Sequence, residues 1–159
     1  MSAREEILKL VTEWMDEELK YSARLQELAA KIRHPVLKAI FLGIAKDSEK
    51  HHHILKAMKE YLEENNPFIT EEDLELIKAS IRQHVDEERQ SIMELSRLRE
   101  KVDDPALLLL IDAMLDDEKK HHTLLFNIER EIAEKEKVDE QELWDYLWKH
   151  SPYHGTPGG

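Results

Sequence analysis

The sequence predicts an all-α protein: a four-helix bundle built from two repeated helical hairpins, plus a short C-terminal helix. Three observations carry the prediction. Leu, Glu, Lys, Ala and Ile dominate the 159 residues, while Gly and Pro are scarce at four and five, a composition that favours helix. Apolar residues recur with alternating steps of four and three, the period of a bundle seam. The pattern of residues 1–64 also returns in residues 71–135, so the chain reads as a duplicated hairpin.

Helix 1 is expected from about Ala3 to Ile32, with an inner stripe of Ile7, Val11, Trp14, Glu18, Tyr21, Leu25, Leu28 and Ile32. Glu18 is its one charged member. Arg33-His34 breaks the pattern, and Pro35 suits the first position of the next helix. Helix 2 is expected from about Pro35 to Glu64. Its face includes Leu37, Ile40, Phe41, Ile44, Ala45, Leu55, Met58 and Leu62, interrupted in the middle by Glu49 and His52. Asn65-Asn66-Pro67 ends it.

Thr70, with Asp73 three residues on, is expected to cap helix 3, which runs from about Glu71 to Val102. Its stripe is Ile77, Ile81, His84, Glu88, Ser91, Leu95, Leu98 and Val102, each 70 residues after its helix 1 counterpart. Asp103-Asp104-Pro105 forms the next turn, with Asp104 as cap. Helix 4 is expected from about Pro105 to Lys135, with the stripe Leu107, Ile111, Met114, Glu118, His121, Leu125, Ile128 and Ile132. The bundle thus fills residues 1–137. In residues 138–159, Leu143, Trp144, Leu147 and Trp148 predict a short amphipathic helix that caps the bundle, joins subunits or binds a partner, and Ser151–Gly159 a flexible end.

The formal net charge of -12 argues against a basic nucleic-acid-binding surface. No Cys is present, which excludes disulfides, Cys-ligated zinc and iron–sulfur clusters. Arg4, Glu5 and Glu6 leave no apolar signal-peptide region at the N-terminus, and no apolar run approaches membrane-spanning length. The expectation is a soluble, cytoplasmic protein without nucleic-acid or membrane partners.

The chemistry lies in two related stretches, Asp47-Ser48-Glu49-Lys50-His51-His52-His53 and Asp116-Asp117-Glu118-Lys119-Lys120-His121-His122. Each contains Glu-x-x-His: Glu49 with His52, and Glu118 with His121. Residues three apart share a helix face, so each pair can aim a carboxylate and an imidazole at one point. Glu18 and Glu49 are 31 residues apart about the first turn, and Glu88 and Glu118 are 30 apart about the second. Antiparallel helices therefore bring Glu, Glu and His to one level in each hairpin. Four carboxylates in an apolar core are costly unless they are paired or bound to metal. Two divalent cations would offset the charge, and two imidazoles would complete the set.

Neighbouring residues invite plainer explanations. Glu17 and Glu87 read as solvated, and His51, His53 and His122 as flanking groups, although Glu49 and His53 also share a face. His84, one turn before Glu88, reads first as a hydrogen-bonded core His and second as an extra ligand or proton relay. Tyr21, one turn after Glu18, reads first as core packing with its hydroxyl on a carboxylate and second as a redox group.

A Glu from each of two helices plus Glu-x-x-His from the other two resembles the ferritin-like di-iron carboxylate proteins, most of all rubrerythrins and bacterioferritins. The resemblance covers about residues 5–135 and excludes the tail. It implies two iron ions, with manganese or a mixed pair fitting the same donors. It implies Glu49 and Glu118 as bridging or chelating ligands, Glu18 and Glu88 as terminal ligands, and His52 and His121 as nitrogen ligands. Asp117, before the second Glu-x-x-His, stands where the family orients a ligand His, here His52, while Ser48 stands at the matching place in the first. Rubrerythrins carry a further Glu one turn after the helix 3 Glu, and Ser91 replaces it, a departure from the full rubrerythrin peroxidase site. Without Cys there is no rubredoxin-type centre, so electrons come from an external donor.

The implied activity is that of a di-iron oxidoreductase, of peroxidase or ferroxidase type, that oxidises Fe2+ or reduces peroxide or O2. Iron storage or buffering, or oxygenation of an organic substrate, are the alternatives. The family sets its two Glu-x-x-His helices antiparallel, which makes helices 2 and 3 run the same way. The six residues Asn65–Thr70 reach only ~20 Å, against ~45 Å for such a helix. A domain-swapped homodimer, with hairpin 1–64 packed on hairpin 71–135 of a second chain, satisfies both constraints. An up-down-up-down monomer is the alternative.

Overall fold

In a computed structural model of the chain, residues 1–64, 68–133 and 139–152 are described. The regular elements among them are helical: α1 (Ala3–Lys31), α2 (Pro35–Glu63), α3 (Glu71–Arg99), α4 (Pro105–Ile128) running into a π-helical segment (Glu129–Ala133), and α5 (Glu140–Lys149). The chain divides into two compact units, Met1–Pro67 and Phe68–Gly159. The stop at Asn65-Asn66-Pro67, the expected end of helix 4 at Lys135, the boundary at 137/138 and the tail beyond Pro152 lie outside the described residues.

Local chemistry sets the helix ends. The Ser2 hydroxyl accepts from the Glu5 amide and the Glu5 carboxylate accepts from the Ser2 amide, a reciprocal pair that satisfies two otherwise orphaned donors at the start of α1. Thr70 and Asp73 repeat the device on α3. Asp104 caps α4 through the amides of Ala106 and Leu107, with Pro105 at the first position. The cap of α2 is His34, whose Nδ1 accepts from the Leu37 amide. α3 stops at Arg99, three residues before the expected Val102, because Lys101 and Val102 donate to Leu98 and Arg99 in tightened turns.

The first unit is the hairpin of α1 and α2. At its open end the Arg4 guanidinium donates to the Leu62 carbonyl near the end of α2. The second is the hairpin of α3 and α4, on which Leu95, Ile111 and Leu115 form a core with Ile92 and Val102. α5 packs against α4 and the π-helical segment. It buries Leu143, and the Asn127 amide donates to the His150 carbonyl at 3.0 Å. The apolar face predicted for the tail is thus used, in part, within the chain.

The expected stripes are corrected in one respect. The row of α1 turned to α2 is Leu8, Val11, Met15, Glu18, Ser22, Leu25, Ala29 and Ile32, all buried or half-buried. It shares Val11, Glu18, Leu25 and Ile32 with the predicted stripe. The other predicted members, Ile7, Trp14, Tyr21 and Leu28, form an adjacent row that is exposed, Trp14 by 60%. The same holds on α3, where Val85 is buried while His84 and Leu98 are exposed. The sequence stripe merged two rows because a bundle helix is apolar over more than one contact width. A single hairpin covers one row and leaves the second open.

Candidate metal centre

The second hairpin assembles three donors. One oxygen of Glu88, one of Glu118 and a ring nitrogen of His121 all lie within 4.8 Å of one another. α3 supplies Glu88, in register between the buried Val85 and Leu95, and α4 supplies the other two on consecutive turns. His121 Nδ1 is 3.7 Å from Glu88 Oε1. Glu88 Oε2 is buried and has no hydrogen-bond partner. Burial, the Glu118 carboxylate beside it and the Glu87 charge together push the Glu88 carboxyl up to about 7. Like charges held this close keep a proton or attract a cation.

The first hairpin holds the same residue types differently. Glu18 is only 14% exposed, and its Oε1 stands 3.4 Å from Nδ1 of His51, not His52. His52 Nδ1 lies 3.0 Å from the Met15 carbonyl. A carbonyl only accepts, so Nδ1 carries a proton, which leaves Nε2 as the nitrogen that could ligate a metal. Glu49 is engaged on both oxygens. Oε1 accepts from the Gln26 amide at 2.8 Å and the Ser22 hydroxyl at 3.3 Å, and Oε2 from the Lys46 ammonium at 2.6 Å. The Lys46 hydrogen bond, with help from Ser22 and Gln26, holds the Glu49 carboxyl below the usual carboxylate range. Glu18, Glu49 and His52 therefore do not converge as their counterparts do. Trp14, Ile54 and Leu55 wall a hollow of about 220 Å³ over Glu18 and His51.

The remaining candidates lie aside from these clusters. Tyr21 is exposed, with the Arg24 guanidinium 5.8 Å over its ring. His84 is exposed and stands 3.4 Å from Glu87. Asp117 is exposed on α4, while the orienting contact of His52 comes from the Met15 backbone within its own hairpin. His122 stacks on Phe126, and its Nδ1 is buried without a partner. Sequence reasoning missed Met15, Ser22, Gln26 and Lys46. A signal for two of them was present: Ser22 and Lys46 stand in the first copy of the repeat where the second has Ile92 and Leu115.

The donor set of the second hairpin fits a hard divalent cation: two carboxylates and an imidazole, with one buried oxygen lacking any partner. Among the described residues, no helix is long and apolar enough to cross a membrane. A family model described as rubrerythrin matches residues 9–129, from the middle of α1's first turns through the last turn of α4. No curated protein and no solved structure matches.

Proposed function

The chain belongs to the rubrerythrin family, within the ferritin-like di-iron proteins, and from that premise we propose that it is a redox protein that oxidises Fe2+ or reduces peroxide or O2 at a carboxylate-bridged dinuclear centre. The observation that carries this is the Glu88–Glu118–His121 cluster with its orphaned buried oxygen. Glu18, Glu49, His52, Glu88, Glu118 and His121 would hold two iron ions, or manganese in their place. The ions, when bound, supply the electrons and the Lewis acidity for reaction with peroxide or O2.

The chain's own residues then have defined tasks. Met15 fixes the His52 tautomer through its carbonyl. Glu88, whose carboxyl is pushed up to about 7, would release its proton on ligating a cation, so uptake would release protons near neutral pH. Without Cys, reducing equivalents come from an external donor protein.

The exposed row Ile7, Trp14, Tyr21 and Leu28, beside Glu18, is an apolar face that a second hairpin would cover, and our reading is a domain-swapped homodimer in which that hairpin comes from the second chain. The short connection between α2 and α3 supports the same arrangement.

Metal content per chain tests the reading, with Glu18→Ala, Glu118→Ala and His51→Ala alongside. About two iron or manganese ions per chain, reduced by the two Glu variants and unchanged in His51→Ala, are expected. Rapid-mixing of the reduced protein with peroxide and with O2 then separates the two oxidants. A folded protein that takes up no metal overturns the reading, and uptake far beyond two ions replaces it with storage.

A further inference from the structure

The two copies of the repeat differ where it matters for loading. We propose that Gln26, Ser22 and Lys46 form a latch that holds Glu49 away from the metal, so that the second hairpin takes the first ion and the first hairpin takes the other later and more weakly. The inference rests on the di-iron reading above and concerns residues that the reading does not use.

An ionised carboxylate offers about four acceptor positions, two on each oxygen. Ser22 and Gln26 occupy both on Oε1, and Lys46 occupies one on Oε2. Gln26 also donates to the Ser22 hydroxyl at 3.0 Å, which fixes the pair relative to each other. Ser22 is buried, so its hydroxyl has no water to turn to. For Glu49 to chelate or bridge, at least one oxygen must be freed. The ammonium of Lys46, 2.6 Å from Oε2, also repels an arriving cation.

Among the described residues, the second hairpin shows no such set of donors on Glu118. The counterparts of Ser22, Gln26 and Lys46 are Ile92, Ser96 and Leu115. Ile92 and Leu115 are part of the apolar core, and the Ser96 hydroxyl donates to the Ile92 carbonyl of its own helix at 2.7 Å. The counterpart of His51, which pairs with Glu18, is Lys120. Glu118 is therefore left beside Glu88 and His121, ready for a cation, while Glu49 is tied down. The difference is written in the sequence at these positions and expressed in the structure as one assembled cluster and one dispersed one. Gln26, Ser22 and Lys46 are positioning residues: they act on the metal through Glu49.

The test is a titration of the full-length metal-free protein with Co2+, followed by calorimetry and by the visible absorption of the bound ion. The wild type is expected to bind in two unequal steps, the weaker absent in Glu49→Ala and the stronger absent in Glu118→Ala. Gln26→Ala, at an exposed position, should tighten the weaker step about tenfold and leave the stronger one unchanged, the worth of one hydrogen bond to a charged group. Lys46→Ala should act in the same direction. If Gln26 instead supports Glu49 as a ligand, Gln26→Ala loosens the weaker step, and that opposite sign overturns the latch. Two equal steps in the wild type, or no change in Gln26→Ala, overturn it as well while leaving the di-iron reading intact. No uptake in a folded protein takes both down.

Discussion

Glu49 and Glu88 are both carboxylates at mid-helix in the buried seam, yet their surroundings push them in opposite directions. Lys46 holds Glu49 in its charged form, while burial and Glu118 hold a proton on Glu88 up to about pH 7. For the metal-free chain the sign follows. Between the ordinary value of 4.5 and about 7, the folded state keeps a proton on Glu88 that the unfolded state has lost. Stability from this group is present below about 4.5 and is lost as pH rises through 7. The denaturation midpoint of the metal-free protein should therefore fall between pH 5 and pH 7.5, and Glu88→Gln should flatten that fall. A variant with an unchanged slope would show that Glu88 titrates like a free carboxyl. Adding metal should reverse the trend, because the cation replaces the proton more readily at higher pH.

The helices are held by different means at their ends and their middles. At the ends, the reciprocal pairs Ser2–Glu5 and Thr70–Asp73 satisfy amides that no helical carbonyl can reach. At the middle of the second hairpin, Leu95, Ile111 and Leu115 supply the packing. Urea denaturation should rank these contributions: Leu115→Ala costs about 3 kcal/mol through lost burial and the cavity left behind, and Thr70→Ala about 1 kcal/mol. Equal costs would mean that the hairpin does not depend on that core. The spacing of Leu125, Ile128 and Ile132 is compatible with a continued α-helix, yet Glu129–Ala133 form a π-helical turn. At that turn the Arg82 guanidinium reaches Glu129 at 3.2 Å, and Arg130 lies over the ring of Tyr146 on α5 at 6.0 Å. These are contacts between distant parts of the chain, which a local pattern does not contain.

For the whole molecule, the exposed row of α1 is a face that a second hairpin, of the same chain or of another, would cover. Ile7, Trp14, Tyr21 and Leu28 present large apolar side chains beside a carboxylate, in a chain of formal net charge -12. Four large apolar side chains exposed along one helix are more than a monomeric soluble protein usually leaves uncovered. Sedimentation at micromolar concentration should give the mass of two chains, and Trp14→Glu should shift the population to single chains, since a charge in a closed apolar contact has no partner. A monomeric wild type with two metals bound would exclude the domain-swapped dimer.

The helices, their duplication, the starts of the first four helices and the meeting of Glu88, Glu118 and His121 were legible in the sequence, because period, capping chemistry and Glu-x-x-His spacing are local and survive in one dimension. The pairing of helices within each hairpin followed from the equal distances of the Glu residues from their turns. What the sequence left open was which neighbour each donor meets. Helical spacing places Glu49 and His52 on one face but does not say that Gln26, Ser22 and Lys46 will reach Glu49, or that the Met15 carbonyl will take the proton of His52. It also merged two apolar rows into one stripe, whereas packing against a single partner helix buries one row and exposes the other. Those outcomes depend on rotation about the helix axis and on side-chain reach across an interface of a few ångströms, and only the folded hairpins fix them.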